Sequence, residues 1–137
     1  MSEMEIRTNV SLRILGAGAD PDAISAEMHV QPDESHREGD AIQSRSPATR
    51  KHGFWGITSS KHMKPSVDMN EHIMWLVDAV GPKLPLLQAY KNRGWIVDVW
   101  IGIHSSAGHG GPVLQPGTLV ALGSLQLDVN LDLYPDA

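Results

Sequence analysis

The chain has 137 residues, 41% of them apolar and 20% charged, with a formal charge of −5 and no cysteine. That length suits one domain able to bury its own core, and the missing cysteines exclude disulfide frameworks, thiolate nucleophiles and cysteine-rich zinc sites. The acidic balance, with a sequence pI near 5.7, argues against a nucleic-acid binder, and no apolar run approaches the roughly 18 residues of a membrane span.

Met1-Ser2-Glu3-Met4-Glu5 is acidic, with neither a basic n-region nor an apolar h-region, so no secretory signal is visible and a cytoplasmic protein is expected. Ile6, Thr8, Val10, Leu12 and Ile14 alternate with polar residues, which predicts a strand over residues 5–15. Asp20-Pro21 marks a helix start, since the carboxylate can accept from free N–H groups and proline fits the first helical position. Ile24 and Met28 form the buried side of that helix, and Pro32 closes the segment. Residues 33–52 contain one large aliphatic residue, Ile42, and no aromatic. They read as a long polar loop, locally basic through Arg37, Arg45, Arg50 and Lys51.

Residues 53–59 form a second strand, with Trp55 and Ile57 on one face and Phe54, Gly56 and Thr58 on the other. Asp68 and Glu71 resemble a capping box ahead of Met69, Ile73, Leu76, Val77 and Val80, whose spacing predicts the main amphipathic helix. Gly81-Pro82 interrupts it. Leu84, Leu87 and Tyr90 start again, and Gly94 caps the end.

The strand at residues 95–104 is the centre of the chain. Val97, Val99, Ile101 and Ile103 make an apolar face, and Asp98, Trp100 and His104 point the other way. A Gly- and His-rich loop covers residues 104–112. Pro116 then opens a short helix carrying Leu119 and Leu122, and Leu125, Leu127, Val129, Leu131 and Leu133 alternate in a last strand. One domain spanning residues 1–137 follows. Half-polar strands favour an α+β fold, with a largely antiparallel sheet of at least four strands and helices packed on one face. Residues 5–28 and 95–122 share an order of strand, glycine-containing loop and proline-started helix, as in a fold with ferredoxin-like halves.

Several landmarks together resemble the bacterial family catalogued as domain of unknown function 4279. They are Ser11-Leu12-Arg13-Ile14, Asp20-Pro21 with Ile24-Ser25, Pro32, Gly39-Asp40, Trp55-Gly56-Ile57-Thr58-Ser59, residues 119–123 and Asp132-Leu133-Tyr134. The resemblance covers nearly the whole chain. The chain departs from it at Met28, where leucine is expected, and in its His- and Gly-rich segment at 104–112. The resemblance supports the fold and implies no activity, cofactor or site residue.

Chemistry is therefore sought in the residues themselves. The polar face of the sheet would carry Arg13, Asp98, Trp100, His104 and Tyr134, a mixture of aromatic and arginine side chains typical of protein-contact hot spots. If first and last strands pair, the arginines of one would face Asp128 and Asp132 of the other. This composition predicts a small acidic, non-catalytic binding or accessory protein, of an immunity type that neutralises a protein partner, or one that assembles with itself. The alternative is a metal-dependent hydrolase using His104, His109 and Asp98. The glycine loop lacks the Lys-Ser/Thr of a phosphate-binding loop. No cofactor is expected, and His62 and His72 sit in separate elements.

Overall fold

In strand β1 (Ile6–Gly16), Val10, Leu12 and Ile14 are fully buried while the residues between them are not. This period of two sorts the side chains into the two faces of a sheet. The protein is described by a computed structural model covering residues 6–42, 48–105 and 111–135. After β1 come α1 (Pro21–Met28), β2 (Glu34–His36), β3 (Gly53–Thr58), α2 (Met69–Val80), α3 (Leu84–Asn92), β4 (Ile96–Ser105), α4 (Pro116–Gly123) and β5 (Asp128–Pro135). They form an α+β fold on one five-stranded sheet in the order β2-β3-β1-β4-β5. All neighbours are antiparallel except β4 and β5.

The first four strands have the ferredoxin-like arrangement. β1-α1-β2 is a split βαβ unit with β3 inserted, and β3 continues through α2 and α3 to β4 with β1 inserted. The halves are thus interlocked units, not the stretches 5–28 and 95–122 that look alike in order. The second of those stretches instead adds α4 and β5 beside β4.

Helix ends follow their sequence signals. Asp20 accepts from the Asp22 N–H at 3.0 Å and Asp68 from the Asn70 N–H at 2.7 Å, each satisfying a donor that the first turn leaves open. Gly94 takes φ +87°, the left-handed conformation that glycine adopts without strain. α1 packs on β3, α2 on β1 and α3 on β4. Ile24, Met28, Ile73, Leu76 and Leu87 meet Val10, Leu12, Trp55, Val99 and Ile101 in the core.

Three expectations need correction. Residues 33–52 contain an edge strand, β2, and an isolated pairing of Ala41 with Thr49; the side chains of β2 are polar because that edge faces water. The first and last strands do not pair, because β4 lies between them. The last strand begins only at Asp128: Leu125 is buried, but a left-handed residue at Gln126 turns the chain before the sheet is joined. Leu131 and Leu133 are then 63% and 68% exposed, because the helix layer lies over β3, β1 and β4. His72, on α2, is wholly buried.

Candidate functional site

The sheet face opposite the helices can be built row by row from the strand register, since directly paired residues point the same way. One row runs Glu34, Gly56, Arg13, Asp98, Asp128 across β2, β3, β1, β4 and β5; the next runs Thr58, Ser11, Trp100, Asn130 from β3 to β5. Arg13 donates from Nε to Asp98 Oδ1 and from Nη2 to Asp98 Oδ2, both at 2.8 Å. Such a two-pronged bond fixes the guanidinium plane, and it raises the Arg13 pKa, so the cation is permanent. The guanidinium also lies 4.9 Å from the centre of the Trp100 ring, within cation–π range. Asn130 donates to Asp98 Oδ2 at 3.3 Å and to the Val99 carbonyl at 3.3 Å.

Across the same row, Gly56 leaves a gap. A Cβ there would stand 3.0 Å from Phe54 Cε1 and Cζ and 3.2 Å from the Leu12 carbonyl, so the Phe54 ring leans over the glycine. His36 of β2 stacks on Phe54 with ring centres 5.3 Å apart. Burial first, and then the charge of Arg50, lowers the His36 pKa, leaving that ring neutral at pH 7. The outcome is an open cleft of about 180 Å³, walled by Trp100 and Arg13 on one side and Phe54 and Glu34 on the other, with Ser11 and Thr58 along one end.

Those hydroxyls are fixed. Ser11 Oγ donates to Thr58 Oγ1 at 2.9 Å, and Thr58 donates on to Asn9 Oδ1 at 2.6 Å. Asp33 accepts the Thr58 N–H at 2.8 Å and lies 3.0 Å from His62 Nε2, tying β2 to the end of β3. Trp100 Nε1 is shielded from solvent and has no hydrogen-bond partner among the described residues. A buried indole N–H without a hydrogen-bond acceptor costs stability.

Of the residues proposed from sequence, Arg13, Asp98 and Trp100 come together in one cluster. His104 and Tyr134 share the face but lie in the row that begins at Arg7, at the far end of β4. Tyr134 donates to Asp132 Oδ2 at 2.5 Å, a bond that holds its hydroxyl proton and raises its pKa. Asp98 and His104 are six residues apart on one strand, roughly 20 Å at the usual rise, so they cannot ligate one ion. His109 lies outside the described residues. Among the described residues no three His, Asp or Glu gather at metal-site spacing. Arg13 of β1 meets Asp98 of β4 and not the aspartates of β5, and Asp98 is only 8% exposed, not in water.

Phe54, Gly56, Thr58 and Glu34 complete the site and were missing from the proposed set. Alternation had already placed the first three on this face. What it could not supply was their adjacency to Arg13 or the existence of β2.

A serine–histidine contact lies in the core. Val10 N–H donates to Ser59 Oγ at 2.9 Å, Ser59 lies 2.5 Å from His72 Nδ1, and His72 Nε2 lies 3.2 Å from the Lys64 carbonyl. The carbonyl can only accept, so Nε2 carries the proton and Nδ1 accepts from the serine. Ser59 and His72 are both fully buried, so no substrate reaches them and the pair is structural.

A family model described as Domain of unknown function (DUF4279) matches residues 4–136, and the chain belongs to that family. No curated protein and no solved structure matches the chain.

Proposed function

We propose that this DUF4279 chain is a non-catalytic protein-recognition domain, and that its open sheet face receives a planar or apolar side chain of a protein partner in the cleft between Trp100 and Phe54. The observation that carries this reading is the fixed Arg13, clamped by Asp98 and stacked on Trp100. Tryptophan and arginine dominate binding energy at protein interfaces, and an arginine already immobilised loses little entropy when a partner docks. At about 180 Å³ the cleft has the size of one large side chain, and its rims present a cation at Arg13 and an acid at Glu34 to orient the neighbouring backbone.

Catalysis draws no support from the same geometry. Asp98 spends both oxygens on Arg13, and the cleft hydroxyls bond one another with no imidazole in its lining. The hydrolase alternative would need Asp98 and His104 to converge from opposite ends of β4. An immunity-type role, in which an acidic domain covers the working surface of a partner, is the form of the reading that the charge of −5 favours.

The test is affinity isolation from source cells with the wild type and a Trp100→Ala variant, followed by titration with the purified partner. One stoichiometric protein should be retained by the wild type, and its Kd should weaken about 30-fold in the variant, the ~2 kcal/mol of a hot spot. A partner bound equally by both proteins, or a hydrolytic turnover that depends on His104, would overturn the proposal.

A further inference from the structure

We propose that β5 is a self-association edge, pairing antiparallel with β5 of a second copy about a twofold axis at Leu131. The two edges of the sheet differ. β2 is a three-residue strand of polar side chains, the form of edge that resists pairing. β5 has eight residues, takes the outer position beside β4, and shows Val129, Leu131 and Leu133 at 38%, 63% and 68% exposure. Among the described residues, nothing pairs with its outer side. A long apolar edge strand of this kind is a template for another strand.

The occupant is specified by the order of residues in β5. Antiparallel neighbours place directly opposed side chains on the same face, so apolar must meet apolar and the register numbers must sum to an even value. Centred on residue 130, the strands would oppose Asp128 to Asp132; centred on 132, they would oppose Asp132 to itself. Like charges directly opposite are unfavourable. Centred on Leu131, Leu131 meets its own copy, Val129 meets Leu133, Asn130 meets Asp132 and Asp128 meets Tyr134. All residues from 128 to 134 are then paired and no two aspartates face each other. Centres at 129 or 133 would leave part of β5 unpaired, so β5 is complementary to itself over its whole length in this one register, and the two sheets join into one of ten strands. This surface is distinct from the Trp100 cleft and does not depend on it.

The absence of native cysteine allows a direct test on the full chain. Sedimentation or light scattering should give a mass near 30 kDa, twice the 14.9 kDa of the chain. Leu131→Lys and Leu133→Lys should each return it to the monomer with the circular-dichroism melt of the fold retained, because both side chains are largely exposed within one copy. Under mild oxidation, Leu131→Cys should cross-link to itself, since opposed Cα atoms about 5 Å apart suit a disulfide. Val129→Cys should not, because its own copy lies roughly 13 Å away along the strand. A wild-type monomer across the concentration range overturns the proposal. So does a dimer that survives both lysine variants, or cross-linking at position 129 or at Asn130→Cys in preference to 131.

Discussion

Asp98 and Val99 are neighbours on β4 that face opposite sides of the sheet, and both are buried, at 8% and 0% exposure. Val99→Asp would place a carboxylate in the apolar core and should cost more than about 3 kcal/mol. Asp98→Asn would replace the carboxylate with an amide that cannot accept from both prongs of Arg13, and it would leave the guanidinium without a counter-charge. Arg13 keeps 31% of its side chain exposed, so water softens the loss to about 2 kcal/mol, still well beyond the ~0.5 kcal/mol of a surface change. Urea melts should therefore show both variants destabilised, and an Arg13→Met, Asp98→Met double variant should recover part of the loss, because the buried charge leaves with its partner. If Asp98→Asn melts within 0.5 kcal/mol of wild type, the clamp contributes nothing. Alternation assigned both residues to their faces correctly. Depth was not legible, because it comes from Arg13 on β1 and Asn130 on β5, and no local spacing says that residue 13 stands opposite residue 98.

At the scale of elements, the long patterned segments could be read directly. β1, β3, β4, α1 and α2 each bury a stripe at the period of their own geometry, and Asp20 and Asp68 cap as their positions imply. β2 escaped because Glu34-Ser35-His36 is an edge with no core residue, held by its backbone ladder and by the preceding Asp33. Asp33 accepts the Thr58 N–H and meets His62, and beyond it Arg37 bridges to Asp20 and Asp22 at the surface. Exposed bridges of that type are worth little, so Asp33 is the main side-chain tie. Asp33→Ala should lower the local opening energy of β2 by about 1.4 kcal/mol and accelerate tryptic cleavage after Arg37 and Arg50 roughly tenfold. The global urea midpoint should move little, and cutting at Lys83, Lys91 and Arg93 should stay slow because α3 keeps Leu87 and Tyr90 in the core. An unchanged rate after Arg37 would show that the ladder alone holds the strand.

For the whole molecule, pH sets two effects against each other. Acidification brings the formal charge of −5 toward zero, which relieves a long-range repulsion that physiological salt already screens over ~8 Å. His72 acts in the opposite sense and at close range. Burial lowers its pKa from the ordinary 6.5, and the nearby Glu71 and Asp68 do not offset it. A proton on Nδ1 would also displace the Ser59 hydroxyl that donates there. The unfolded chain therefore binds this proton more readily than the folded one, so stability is complete above about pH 6.5 and falls as pH drops toward the lowered folded value, by at most ~1.4 kcal/mol per pH unit for one histidine. His36 shifts in the same direction but lies nearer the surface and carries a smaller share. Because the close-range, desolvated term outweighs the screened one, chemical melts at pH 7, 6 and 5 should show a steady loss of stability. His72→Gln can still accept from Ser59 and donate to the Lys64 carbonyl but takes up no proton, so its stability should vary much less over the same range. A glutamine variant with the full wild-type slope would place the titrating group elsewhere and remove His72 from the account.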